Sequence, residues 1–343
     1  MSISRIINGE NKSVYIIAEI GVNHNGSIKL AYDLIDKAIE CGADAVKFQT
    51  FISGNLVTSS AHKAAYQIKA TNSTESQLEM LKKLELKFSD FIELKEYCYK
   101  KKIDFLSTPF DMESADFLHS IDIDGFKIGS GDMNNIPFLR KIDGYRLPII
   151  LSTGMSNLEE VKYSIDNITK SPLALLHCTS EYPAPFNDVN LLAMKTMEKE
   201  FNKVVGYSDH TDGLEASLAA VALGAKIIEK HFTLDRNFVG PDHKASMEAK
   251  EFKQLVNSIR RVELLLGDGV KRVMPSEENT MMVARKSIFS TRKLYPGDVI
   301  NQSDLTVKRP GSGLAPRYIY DFIGKVVVKE VEAEHCLSWD DVK

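Results

Sequence analysis

Eight short apolar, β-branched runs punctuate the first two-thirds of the sequence: YIIAEIG (15–21), AVKFQT (45–50), DFLSTPF (104–110), GFKIGSG (125–131), PIILSTG (148–154), LALLHCTS (173–180), VVGYSDHT (204–211) and IIEKHFT (227–233). Between them the apolar residues recur at helical spacing, as at Leu30, Leu34, Ala38 and Ile39, or at Phe252, Leu255, Ile259, Val262 and Leu266. Strands that alternate with helices pair in parallel, because each return to the sheet needs a crossover. Eight such units in about 265 residues match a (β/α)₈ barrel, whereas an open doubly wound sheet more often stops at roughly five to seven strands.

The pattern ends after Leu266. The segment GDGVKRVMPSEENTMM (267–282) mixes Gly, Pro and charge without periodicity and reads as a linker over 267–283. Residues 284–343 carry short β-like runs, KSIFST and VVVKEV, turn signals at PGD and RPGSG, and too few apolar residues for another barrel. The expected organisation is therefore an α/β barrel domain over 1–266 followed by a small β-rich domain over 284–343.

With 43 Lys and Arg against 47 Asp and Glu and no strong basic patch, neither nucleic acid nor a membrane surface is an expected partner. No stretch approaches the roughly 18 apolar residues of a membrane span, and the polar opening MSISRIINGENKS is unlike a secretory signal. Four scattered cysteines without a CxxC pair fit a reducing compartment, so a cytoplasmic location and a packing or wall role for each cysteine are expected.

A barrel of this kind carries its chemistry at the C-terminal ends of its strands. Those ends supply Glu19; Lys47 and Gln49; Ser107 and Thr108; Lys127, Ser130 and Asp132; Ser152 and Thr153; Thr179, Ser180 and Tyr182; Asp209 and His210; Glu229 and His231. Any one of them could be a solvated turn residue, but the whole set is hard to dismiss.

His210 and His231 close neighbouring strands and can aim at one spot, which is the geometry of a divalent cation held by two protein nitrogens with positions left open. Two hydrogen-bonded histidines without a metal are the plainer alternative. Asp209 and Glu229 are placed to hold the rings. His24, His177 and His243 are weaker candidates, and His62, His119 and His335 read as surface or packing. Lys47 and Lys127, with Ser130 in a GSG turn and Ser152 in STG, form an anion pocket, since a phosphate needs charge plus several donors at close approach. Glu19, after a buried strand in AEIGVNHNG, can serve as a general base or simply hold its loop.

The motifs AEIGVNHNG, AVKFQT, STPFD, KIGSG, LSTGMS, HCTSEYP, GYSDHT, EKHFT and GPDHKAS, in this order along essentially the whole chain, resemble the sialic acid synthase family. KRPGSG followed by FIGKVV resembles the antifreeze-like SAF domain that this family appends to its TIM barrel. The resemblance implies condensation of phosphoenolpyruvate with an N-acetylated amino sugar, and a domain-swapped homodimer. It puts a divalent metal, manganese first and magnesium or cobalt next, on His210 and His231, and phosphoenolpyruvate on Lys47, Thr108, Lys127, Ser130, Ser152 and Ser180. It implies Glu19 as acid/base residue, Gln49, Asp132, Tyr182 and Asp242 as sugar contacts, and Arg309 reaching in from the other subunit. Asp132 stands where many members have Glu.

Two rivals are weak. An amidohydrolase would show an HxH pair on its first strand, where Glu19 stands with only His24 nearby, and an ice- or carbohydrate-binding module would not need the catalytic set. Among acceptors, N-acetylmannosamine, giving N-acetylneuraminate, is favoured. The alternatives are 2,4-diacetamido-2,4,6-trideoxymannose and its altrose isomer, giving legionaminate and pseudaminate. The segment 64–87 resembles sialic and legionaminic acid synthases more than the pseudaminic branch.

Overall fold

The computed structural model describes residues 2–10, 13–64, 67–68 and 75–343, so residues 65, 66 and 69–74, part of the segment 64–87, lie outside the described residues. The chain divides into two compact units, Met1–Gly267 and Asp268–Lys343.

In the first unit eight parallel strands pair in chain order: β1 (Tyr15–Gly21), β2 (Ala45–Thr50), β3 (Asp104–Pro109), β4 (Gly125–Ile128), β5 (Ile149–Ser152), β6 (Leu173–Cys178), β7 (Val204–Asp209) and β8 (Ile227–Thr233). Pairing of β1 with β8 closes the sheet into a barrel, and a two-residue strand, β9 (Met247–Glu248), lies beside the end of β8. Helices follow the strands, as in Ile28–Cys41, where the Ser27 hydroxyl caps the first turn by accepting from the Leu30 amide and Gly42 at φ 89° ends the last. The strands match the sequence runs closely. The differences fall at their C-terminal ends, where Gly-containing and polar tails leave the sheet early, so Ser130, Ser180 and His210 sit just beyond β4, β6 and β7.

Successive side chains of a strand point to opposite faces, and this parity organises the barrel. Tyr15, Ile17, Ala45, Leu106, Ile150, Ala174, Leu176 and Ile227 share one interior cluster, closed from below by Ile3 and Ile6 of the short helix Ile3–Ile7. One or two steps of the same parity further on come Glu19, Lys47, Thr108, Ser152, Ser208 and Glu229, so each strand turns from apolar at the bottom to polar at the mouth. The opposite parity packs outward on the helices, with Ile16, Phe48, Phe105, Phe126, Leu151, Val205 and Ile228 against Leu34, Leu94, Leu139, Met194 and Leu255.

The same rule corrects three expected mouth residues. Ser107 faces outward to the Thr50 hydroxyl at 2.7 Å, Thr153 donates to the Leu176 carbonyl beside Met197, and Asp209 pairs with Lys230 in the helix layer. Their polar atoms are paired behind the strands rather than offered to a ligand.

In the second unit, β10 (Ser287–Ser290) and β11 (Leu305–Lys308) pair antiparallel, over a core of Ile288, Leu294, Ile300, Phe322, Val327, Val331 and Leu337. VVVKEV forms isolated bridges from Val326, Val327 and Val331 instead of a continuous strand. The stretch read as a featureless linker contains the helix Glu278–Ala284 and belongs to the second unit. That helix is too short to show a period, and all of it stays at least partly exposed.

Candidate active site

The mouth of the barrel opens as a cavity of about 460 Å³. Of the residues selected from sequence, Glu19, Lys47, Gln49, Thr108, Lys127, Ser130, Ser152, Ser180, Tyr182, His210, His231 and Asp242 all line it. Asp132 does not. It lies in the 3₁₀ turn Ser130–Asp132, where its carboxylate accepts from the Asn135 amide at 3.0 Å. Arg309 belongs to the second unit, where its Nε donates to the Ala284 carbonyl at 3.0 Å, the local capping role that competes with a substrate contact. His177 bonds the Val189 carbonyl, and His243 bonds Thr233 and Asn25, so both hold loops.

At the floor sits an ionic cluster of two lysines and two glutamates, all buried. The Lys47 ammonium lies 2.8 Å from Glu19, 3.8 Å from Glu229 and 3.1 Å from the Thr108 hydroxyl. Lys127 is 2.6 Å from the Ser152 hydroxyl and 3.7 Å from Glu229. Burial pushes the Glu19 carboxyl up to about 7, against the pull of Lys47 and with help from the Glu229 charge. Glu229 goes the other way. Burial opposes its ionisation, but Lys127 and Lys47 on either side and the Ser208 hydroxyl at 2.8 Å hold it below the usual carboxylate range. Two adjacent carboxylates are thus driven apart, which leaves one proton available on Glu19 near neutral pH.

Above the lysines, the Ser130 hydroxyl accepts from the Gly154 amide at 3.0 Å and lies 3.1 Å from the Cys178 sulfur. A Cβ at Gly154 would stand 2.3 Å from the Ser180 hydroxyl and 2.8 Å from both Cys178 and Ser130, so only glycine lets these groups converge. Lysines, hydroxyls and a free approach of backbone make this end fit an anion.

His210 and His231 stand with ring centroids 5.6 Å apart, and Tyr182 packs on His210 at 4.1 Å. The His210 Nδ1 bonds the Thr179 carbonyl at 2.7 Å, which makes it the protonated nitrogen and leaves the Nε2 lone pair toward Ser208. The direct partner of this ring is therefore the Thr179 carbonyl and not, as expected, the Asp209 carboxylate. The His231 Nδ1 is buried with no hydrogen-bond partner among the described residues. Burial lowers both imidazoles, His210 to about 4 and His231 well below its ordinary value, so both are neutral. Among the described residues no group of three or more His, Cys, Asp or Glu forms a closed metal cage. Two neutral imidazoles, one with an orphaned nitrogen a cation would satisfy, fit a divalent ion with open positions.

Sequence reasoning missed the apolar part of the wall. Val22, Phe51, Leu56, Val57, Met80, Leu81, Leu84 and Phe110 line the same cavity as an apolar lobe built from the loops after β1, β2 and β3 and from the helix Gln77–Leu84. It also missed Ser208 and gave Glu229 to the imidazoles instead of the lysines, although both residues share the parity of the histidines that follow them.

The model of the NeuB family matches residues 34–271, and that of the SAF domain matches residues 285–343. The chain belongs to the NeuB family. Similar proteins include the N,N'-diacetyllegionaminic acid synthase of Campylobacter jejuni, 46% identical over 95% of this chain and 99% of the relative. The synthase of the same name from Legionella pneumophila is 44% identical over 98% and 96%. The crystal structure of N-acetylneuraminic acid synthetase from Leptospira borgpetersenii, in complex with citrate, is 36% identical with a TM-score of 0.69 over 78% of this chain and 90% of that one. This NeuB-family member is a phosphoenolpyruvate-dependent synthase of the sialic acid type, built as a TIM barrel followed by a SAF domain.

Proposed function

We propose that this synthase condenses phosphoenolpyruvate with 2,4-diacetamido-2,4,6-trideoxymannose to give N,N'-diacetyllegionaminate and phosphate. The observation that carries the choice of sugar is the apolar lobe that lines the same cavity as the anion end. A 6-methyl group and two acetamido methyls gain from that lobe, whereas a hydroxymethyl group would give up water to its apolar side chains. The names of the Campylobacter and Legionella relatives support the same reading. N-acetylmannosamine, the acceptor favoured from sequence, is the second reading, supported by the Leptospira relative.

Lys47, Lys127, Ser130 and Ser152 hold the phosphate, and Thr108 and Ser180 flank it. Their contribution is position and charge rather than proton transfer. The C2=C3 electron pair of phosphoenolpyruvate forms a bond from C3 to the sugar aldehyde carbon, the C=O π pair moves to the aldehyde oxygen, which takes up a proton to become a hydroxyl, and cationic character is left at C2. The water that adds at C2 gives its proton to Glu19, and cleavage of the C2–O bond then releases phosphate. Gln49, Tyr182 and Asp242 face the sugar, and burial raises Asp242 to about 6, which still leaves it mainly a hydrogen-bond-accepting carboxylate near neutral pH. His210 and His231 would hold a divalent cation, manganese before magnesium or cobalt, which when bound supplies Lewis acidity toward the aldehyde. The protein acts as a homodimer in which Arg309 of the partner subunit completes the sugar site.

The test is a side-by-side assay of phosphate release with the three candidate sugars. The diacetamido-trideoxymannose should give the highest kcat/KM. An equal or higher value with N-acetylmannosamine overturns the assignment.

A further inference from the structure

Behind the two imidazoles, on the helix side of the sheet, lies a buried polar knot outside the active-site cavity. Asp209 and Lys230 are opposite one another in the β7–β8 register, and their side chains meet at 3.0 Å with almost no exposure. Asp209 is the residue before His210, and Lys230 is the residue before His231. One carboxylate oxygen of Asp209 accepts from the Thr211 amide at 2.9 Å and its hydroxyl at 2.8 Å, and the other accepts from the Ser217 hydroxyl at 2.6 Å. The Lys230 ammonium also donates to the Thr211 carbonyl. The residues on both sides of His210 are thus fastened to the residue that precedes His231. Main-chain pairing between β7 and β8 runs through Asp209 and Lys230, so beyond that point this knot is what carries the link across to Thr211.

We infer that Asp209 and Lys230 are positioning residues that set the separation and ring orientation of His210 and His231, and so tune the affinity of that site for a divalent cation. The inference rests on the cation reading above but concerns residues that touch neither cation nor substrate. A pair kept only for stability is an odd choice here, because apolar side chains of similar volume serve as well or better in a buried layer. A pair that must hold two strand ends in one geometry needs directional bonds.

The experiment compares the wild type with Asp209→Asn, Lys230→Met and the double variant that removes both charges without leaving one alone. Mn²⁺ binding is followed by electron paramagnetic resonance, folding by thermal melting, and ring tautomers by nitrogen-15 spectra of histidine-labelled, metal-free protein. The folded double variant should bind Mn²⁺ about 10- to 100-fold more weakly than the wild type, the usual cost of losing an outer support of a ligand. Its His210 should lose the single Nδ1-protonated form. Wild-type affinity in a folded double variant overturns the inference. If the charge variants do not fold, Ser217→Ala removes one anchor of Asp209 in a milder way, and unchanged Mn²⁺ affinity there overturns it equally. Should the wild type itself show no Mn²⁺ site that His210→Ala removes, the cation reading falls. The clamp is then judged on the nitrogen spectra alone, where unchanged His210 and His231 signals in the variants overturn it.

Discussion

At the scale of single residues the active site is a problem of two carboxylates and two ammoniums in a buried floor. Lys47 touches Glu19 and approaches Glu229, so the proposed phosphate would share its charge with two carboxylates. Lys47→Ala should raise the KM for phosphoenolpyruvate far more than that for the sugar, by an amount corresponding to about 1.5–3 kcal/mol for a lost charge-assisted contact. Steady-state kinetics with each substrate varied in turn checks this, and equal losses for both would remove Lys47 from the phosphate. Glu19 gives a pH signature. Its pKa is raised to about 7 by burial, so its ionised, proton-accepting form grows as pH increases through that value. With Glu19 as base, kcat should rise with pH across a limb centred near 7. Glu19→Gln should abolish that limb and lower kcat about 100- to 10,000-fold. A limb that survives in the Gln variant assigns the titration to another group, with Asp242, raised to about 6, next in line.

At the scale of elements, strand parity decides what each side chain can do. Glu19, Lys47, Thr108, Ser152, Ser208 and Glu229 stand above apolar residues of the same strand faces, while Asp209 and Lys230, one position out of phase, turn away. The apolar layers beneath the site need a floor, and the helix Ile3–Ile7 supplies it through Ile3 and Ile6, the latter 2% exposed. Ile6→Ala should destabilise the protein by about 2–5 kcal/mol, the cost of a large-to-small change in a packed interior. Both KM values should stay near wild type, because the lesion lies at the opposite end of the strands. Denaturant melts combined with kinetics check this prediction, and an unchanged melt would show the barrel closed without that side chain.

For the whole molecule, Arg309 poses the open geometric question. Within its own unit it caps the Ala284 carbonyl, yet the proposed homodimer uses it at a partner's site. Mixing inactive Glu19→Gln chains with inactive Arg309→Ala chains distinguishes the roles, since a swapped heterodimer holds one complete site. Activity should recover to about half of the wild-type value per heterodimer, a site count that follows from twofold symmetry. Absence of recovery, with subunit exchange demonstrated by mass spectrometry, means that Arg309 serves the barrel of its own chain or no site at all.

Much of the molecule is legible in its amino-acid order. The alternation of eight β-branched runs with helical spacings implies the barrel, because period and parallel crossover leave few other solutions. The barrel in turn puts Lys47, Lys127, His210 and His231 at one mouth. What no local pattern could reveal was pairing across strands. Asp209 and Glu229 both precede or neighbour histidines in sequence, but one faces the helices and Lys230 while the other faces two lysines. The difference is a single step of strand parity combined with the register of β7 on β8. The apolar lobe was equally hidden, since Phe51, Met80 and Phe110 look like ordinary core residues until loops from three strands fold together. Sequence alone determined the order of strands and helices and the residue types that carry charge. Only the tertiary fold decided which charges meet, because the energy of a buried ion depends on its partners in space and not on its neighbours along the chain.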